Sequence, residues 1–146
     1  MRITRIYATP DGESHFEDME IAVEDAGPIG SLSEPVQAHA VTFRENDADY
    51  DFDWHQAPQR QFVVLLDGHI EIEVSDGERR QFRGGDVLLV EDVIGRGHRS
   101  RTVDGKPRRS LFIALPEAPV TDVVQQASEE SFPGSDAPAW TGAIVT

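Results

Sequence analysis

The chain has 146 residues, with 27 acidic against 13 basic side chains and a formal net charge of −14. That length suits one domain with a sizeable core, and the charge repels nucleic-acid phosphates and anionic membrane surfaces. The absence of cysteine excludes disulfides, thiolate metal ligands and cysteine nucleophiles. No apolar run is long enough to span a bilayer, and residues 1–11 lack the apolar core of a secretion signal, so a soluble cytoplasmic protein is expected. No Gly-x-Ser-x-Gly elbow points to serine catalysis.

In chain order, residues 3–8 (ITRIYA) read as a short strand, followed by a turn at Pro10-Asp11-Gly12. Ser14-His15-Phe16 then leads to a second strand candidate over residues 19–23. Gly27-Pro28-Ile29-Gly30 and Ser33-Glu34-Pro35 mark a loop. Residues 36–44 (VQAHAVTFR) alternate and predict a strand with Val41 and Phe43 on one face. Residues 46–51 are polar and acidic, an exposed connection.

The stretch from residue 53 to 101 organises the rest. Residues 60–66 (RQFVVLL) are apolar on both faces, which predicts a strand covered on both sides. Residues 69–75 (HIEIEVS) alternate, with Ile70, Ile72 and Val74 opposite His69, Glu71 and Glu73. Only Asp67-Gly68 separates the two runs, and that dipeptide suits a tight type I′ hairpin. Asp76-Gly77 turns the chain again into residues 78–82, and Gly84-Gly85-Asp86 leads into residues 87–90. Asp104-Gly105 links residues 98–103 with residues 108–115 (RRSLFIAL). Short strands with turn residues between them predict an all-β antiparallel barrel or sandwich.

The basic residues Arg96, Arg99, Arg101, Lys106, Arg108 and Arg109 gather near His98. They read first as a solvated edge protected by charge, and second as an anion-binding rim. After Pro116-Glu117-Ala118-Pro119, residues 120–128 form one short helix or stay irregular. Residues 131–139 read as a loose tail, with Trp140 and Ile144-Val145 pinning its end to the body or to a partner subunit.

Trp54-His55-x-Ala57-Pro58-x-x-Gln61, followed six residues later by Gly68, and Gly85-Asp86-Val87-Leu88-Leu89-Val90 with a later His98, resemble the two motifs of the cupin superfamily. With Gly-Glu-Ser-His-Phe near the start, the wording is similar to a group of small single-domain bacterial cupins with no assigned activity. The resemblance covers most of the chain up to Leu115. Ala57 stands where the motif has its second histidine, Gln61 where it has glutamate, and Glu91 where it has proline. His98 comes two residues later than usual.

The resemblance implies a cupin barrel (a double-stranded β-helix, jelly-roll-like). Residues 1–35 would form N-terminal strands and a loop packing on it, residues 36–116 the barrel core, and residues 117–146 a partly irregular C-terminal tail. It also implies a pocket at the barrel mouth that takes a small-molecule ligand, and a homodimer. His55, Gln61 and His98 would face that mouth. Two imidazoles and an amide oxygen can hold a divalent transition metal: iron, manganese, nickel, copper or zinc. The metal-free reading, in which the histidines only hydrogen-bond, stands beside it at even odds.

Asp53 shares a face with His55 in an extended segment and could supply a carboxylate. A one-residue shift would instead turn Trp54 and Gln56 inward. Asp53, Trp54 and Gln61 are the ligand-binding candidates, and Glu91 is the candidate acid or base. His15, His39 and His69 read as surface or structural residues. Two functions follow: a metal-dependent enzyme acting on a small metabolite, or a non-catalytic small-molecule binder.

Overall fold

The computed structural model describes residues 1–117, of which Met1–Leu115 form one compact unit. The expectations for residues 120–128 and 131–139, and for Trp140 and Ile144-Val145, lie outside the described residues. Apart from one 3-10 turn at Gly27–Ile29, the regular structure among the described residues is all β. No helix among them is long and apolar enough to cross a membrane.

The strands are β1 (Arg2–Ala8), β2 (Ser14–Glu20), β3 (Glu24–Asp25), β4 (Ser31–Leu32), β5 (Ala40–Asn46) and β6 (Asp51–His55). They continue with β7 (Gln61–Leu65), β8 (His69–Val74), β9 (Arg79–Arg83), β10 (Val87–Val90), β11 (His98–Thr102) and β12 (Arg108–Ala114). A six-stranded sheet runs in the order β2-β1-β10-β7-β12-β5, and a four-stranded sheet in the order β6-β11-β8-β9. All pairings are antiparallel except β1 with β10. The all-β class expected from the sequence holds. The two sheets face each other as a sandwich, and no strand pairing among the described residues closes them into a continuous barrel.

The alternation of each strand sets what lies between the sheets. Ile6, Phe16, Val63, Leu65, Leu88 and Val90 come from the six-stranded sheet; Ile70, Ile72, Val74 and Phe82 come from the four-stranded one. Together they form a single buried cluster. A second, smaller cluster of Ile3, Leu89 and Leu115 lies on the other face of the six-stranded sheet, with Phe62 and Val87 against it. The doubly apolar β7 is therefore a central strand covered on both faces, as its composition requires.

Several expectations are corrected. The two arms around Asp67-Gly68 do not pair: β7 bonds to β10 and β12, and β8 to β9 and β11. The turn carries the chain from one sheet to the other. β7 needs a neighbour on each side within its own sheet, and the Asp67 carboxylate is drawn to β12, where Arg109 donates to it from its backbone (2.6 Å) and from Nε (2.7 Å). Asp104-Gly105 makes the same kind of crossing between β11 and β12. Of these three Asp-Gly turns, Asp76-Gly77 alone closes a hairpin, pairing Glu73 with Arg79.

The second strand begins earlier than expected, at Ser14, because the β1 register pairs Ala8 with Ser14 directly across the turn. β5 begins later, at Ala40, and the face bearing Val41 and Phe43 is exposed, Phe43 at 81%. β5 is an edge strand, so only β12 supports it.

Candidate functional site

The core cluster fills only part of the sandwich. Toward β12, β5, β11 and β6 the interior becomes polar, with Gln61, Asp92, His98, Ser100, Arg108 and Ser110 all buried. His55 and His98 meet there. They are register partners across β6 and β11, and their ring centroids are 4.5 Å apart. A register shift between His98 and Ser100 makes Phe52, rather than Asp53, the partner of Ser100. This bulge settles the question left open by the sequence: His55 faces its partner histidine, and Phe52 stacks on it at 4.1 Å.

Each imidazole is oriented through Nδ1. His55 Nδ1 donates to the Asp53 backbone carbonyl at 2.7 Å, and His98 Nδ1 to Asp92 Oδ2 at 2.5 Å. A carbonyl and a carboxylate can only accept, so each Nδ1 carries a proton and Nε2 is the nitrogen left for a ligand. Neither Nε2 has a hydrogen-bond partner among the described residues. Burial holds His55 below the ordinary histidine pKa, with His98 and Arg44 pushing the same way and the bonded Asp53 carbonyl and Asp92 opposing. The ring is therefore neutral at physiological pH, the form that binds metals.

Gln61, at the start of β7, is buried. It lies beside Ala114 of β12 and Val90 of β10. Ala57, where the cupin motif has its second histidine, belongs to the apolar core, its N–H bonding the Asp92 carbonyl at 3.0 Å.

The remaining candidates lie elsewhere. The Asp53 carboxylate is exposed and accepts from the Trp54 backbone N–H at 2.9 Å. Trp54 lies against Arg96 and Arg99, whose guanidinium carbons are 5.8 and 5.5 Å from its ring centroid. Arg99 points to the outer face of β11, opposite His98. Glu91 does not join the histidines either: Leu88 and Val90 face the core, so Glu91 faces away. Its two carboxylate oxygens are taken by Arg5 Nε at 2.6 Å and Arg60 Nε at 2.7 Å. His15 bonds Asp76 and Thr9, and His69 bonds Gln81, as expected of structural histidines.

Sequence reasoning missed Asp92, which is fully buried. It lies two residues past the end of β10, where the Val93 N–H bonds the Glu91 carbonyl at 2.9 Å and turns the chain, so strand alternation did not mark it. Its second oxygen, Oδ1, is buried without a partner among the described residues.

The loop holding His98 is tightly built. Gly97 has φ +75°, and a Cβ there would come within 2.0 Å of the His55 carbonyl oxygen. Only glycine allows the two histidine segments to approach this closely. The buried Ser14 hydroxyl donates to the Gly97 carbonyl at 2.7 Å, and Gln56 Nε2 donates to the Gly95 carbonyl at 2.7 Å.

No family model matches the chain. A curated relative, Oryzines biosynthesis cluster protein J of Aspergillus oryzae, is 34% identical over 77 residues, covering 52% of this chain and 41% of the relative. The chain thus spans about two fifths of that protein's length. A crystal structure of a conserved Streptococcus pyogenes protein of unknown function aligns at TM-score 0.43 with 23% identity, over 60% of this chain and 72% of that one. A Neisseria meningitidis protein aligns at TM-score 0.42 with 21% identity, over 63% and 86%.

Proposed function

We propose that this is a cupin-like protein that binds a small molecule between its two sheets, and that His55 and His98 form the protein's share of a divalent transition-metal site there. The observation that carries this reading is the paired geometry of the imidazoles. Both are tied at Nδ1 by an acceptor and both present an unshared Nε2. Metal-ligating histidines are held in this way, the second-shell acceptor fixing tautomer and ring direction. Gln61, buried at the start of β7, would add an amide oxygen.

The donor set is short. Among the described residues, no group of three His, Cys, Asp or Glu side chains could hold a metal ion. A metal would have two nitrogens and one neutral oxygen from the protein, and its remaining positions would be open to water or ligand. Bound there, it would supply Lewis-acid polarisation of a ligand oxygen. The chain's own residues orient the imidazoles through Asp92 and the Asp53 carbonyl, keep His55 neutral through burial, and cover one flank with Phe52. The same short set favours the second reading, a metal-free binding protein in which His55 and His98 hydrogen-bond the ligand.

Elemental analysis of untagged protein purified without chelators, beside a His55→Ala/His98→Ala variant, tests the reading. Near-stoichiometric iron, manganese, nickel, copper or zinc that is absent from the variant is expected. A folded wild type that also refuses added metal would leave the metal-free binder.

We also propose a homodimer. Residues 22–45 are exposed throughout and carry Ile29 (75% exposed), Leu32 (53%), Val36, Val41 and Phe43. That much apolar surface on one arm and one edge strand is suited to cover by a second copy. A monomeric mass in solution would refute it.

A further inference from the structure

The polar interior does not end at the histidines. Arg108, at the start of β12, is only 5% exposed, and no carboxylate pairs with it among the described residues. Its Nη2 donates to Asn46 Oδ1 at 2.8 Å, and its guanidinium carbon lies 4.8 Å from the Tyr50 ring centroid. Its Nε and Nη1 are buried with no acceptor. The hydroxyls of Ser110, on the same face of β12, and of Thr102, on the same face of β11 as His98, are buried and unpartnered too.

Arg44 stands opposite Ser110 in the β5–β12 register, with its guanidinium carbon 3.9 Å above the Phe112 ring. It too has no hydrogen-bond or ion-pair partner among the described residues. Several other arginines are paired: Arg5 and Arg60 hold Glu91, Arg99 holds Glu73, and Arg109 holds Asp67. In a chain with 27 acidic residues, a buried arginine without a carboxylate, as Arg108 is, is exceptional; Arg44 is exposed but stands on the same face of the sheet. An unpaired buried charge costs several kcal/mol. Arg44 and Arg108 also repel one another, adding to the effect of burial in holding Arg108 below the ordinary arginine pKa.

We infer that Arg108 and Arg44 form an anion site that receives the carboxylate of a small organic acid. A carboxylate supplies two planar acceptors matched to guanidinium donors. The setting of the arginines is aromatic: the Arg108 guanidinium lies against Tyr50 and that of Arg44 over Phe112, which packs against the apolar core. It suits an apolar organic body rather than a hydrated inorganic ion. The inference deepens the reading above, since the far end of such an acid would face His55 and His98, but the anion site stands on different residues.

The test uses metal-free protein, dialysed against chelator and melted at fixed ionic strength with benzoate, hexanoate, benzamide, phosphate or chloride. A saturable rise in Tm with benzoate or hexanoate, and none with benzamide, phosphate or chloride, is expected. Arg108→Met should melt at or above the wild-type temperature and bind the carboxylate about tenfold more weakly or worse. Arg44→Gln, at an exposed position, should weaken it similarly, and decides the matter if Arg108→Met does not fold. Because the protein is metal-free, the response is read without any contribution from a metal at His55 and His98, which separates this site from the metal reading. The inference falls if neither carboxylate shifts the wild type, or if the shift survives both arginine substitutions. It falls equally if phosphate or chloride reproduces the shift, which would show an adventitious ion only.

Discussion

The two halves of the sandwich interior obey different rules. Between β1, β2, β7, β10 and β8, β9, the space is filled by Ile6, Leu65, Leu88, Val74 and their neighbours, none more than 8% exposed. Between β12, β5 and β11, β6, the same alternation delivers Ser110, Arg44, His98 and Ser100 instead. In this half the Ser110 and Thr102 hydroxyls, Arg108 Nε and Nη1, and Asp92 Oδ1 are buried without a partner among the described residues. The backbone pattern is continuous from one half to the other; only the side chains change. Stability therefore resides in the first half, and the second gives up packing to keep polar groups available, as binding sites do.

The largest effect that would sharpen this contrast is expected from Leu65→Ala. Leu65 is 1% exposed, and emptying such a site costs about 2–5 kcal/mol. Chemical denaturation should show that loss, with the ligand response intact in the remaining folded protein. Gly97→Ala comes next, since its Cβ would overlap the His55 carbonyl and its φ is left-handed. The expected cost is roughly 1–3 kcal/mol, together with loss of whatever His55 and His98 bind jointly. Glycine-like behaviour of that variant would show the two segments to be less tightly apposed than described.

Asp92→Asn should leave the fold standing but weaken metal binding about 10–100-fold, the usual effect of removing a histidine's orienting carboxylate. An unchanged affinity by calorimetric metal titration would detach Asp92 from the site.

Acidification has a smaller, signed effect. His55 is held below its ordinary value of 6.5, so the unfolded chain takes up its proton first. Between that value and the lower folded pKa, stability falls as pH falls; above 6.5 this contribution is level. Melting wild type and His55→Phe across pH 5–8 should show a shallower acid slope in the variant. Phe43→Ser is expected to change monomer stability by no more than about 0.5 kcal/mol, as at an exposed position. If a second copy covers the edge strand, the same substitution should lower the mass in solution.

Much of the fold was legible because alternation is a local signal. The doubly apolar β7 and the alternating β8 both have the burial that their residues dictate. Which strands pair was not legible at Asp67-Gly68. A two-residue turn tolerating positive φ can close a hairpin or carry the chain between sheets, and long-range partners decide which. At the site, His55, Gln61 and His98 were visible as unusual residues at motif positions. Asp92 lies in the turn after β10, beyond the reach of strand alternation, and Glu91 drew attention because it occupied a motif position. Arg44 and Arg108 were hidden among solvated charges: nothing local marks which arginine in a basic stretch points inward.

The central claim is that the polar half is kept polar at the expense of stability. It is tested most directly by the unfolding free energy of a Thr102→Val/Arg108→Met/Ser110→Ala variant. These substitutions remove four buried polar atoms that have no partner, against the single Arg108 Nη2–Asn46 bond, so the variant should be at least as stable as wild type while losing the carboxylate response. A fall of more than about 2 kcal/mol would show that these groups hold the fold together, and would contradict the account.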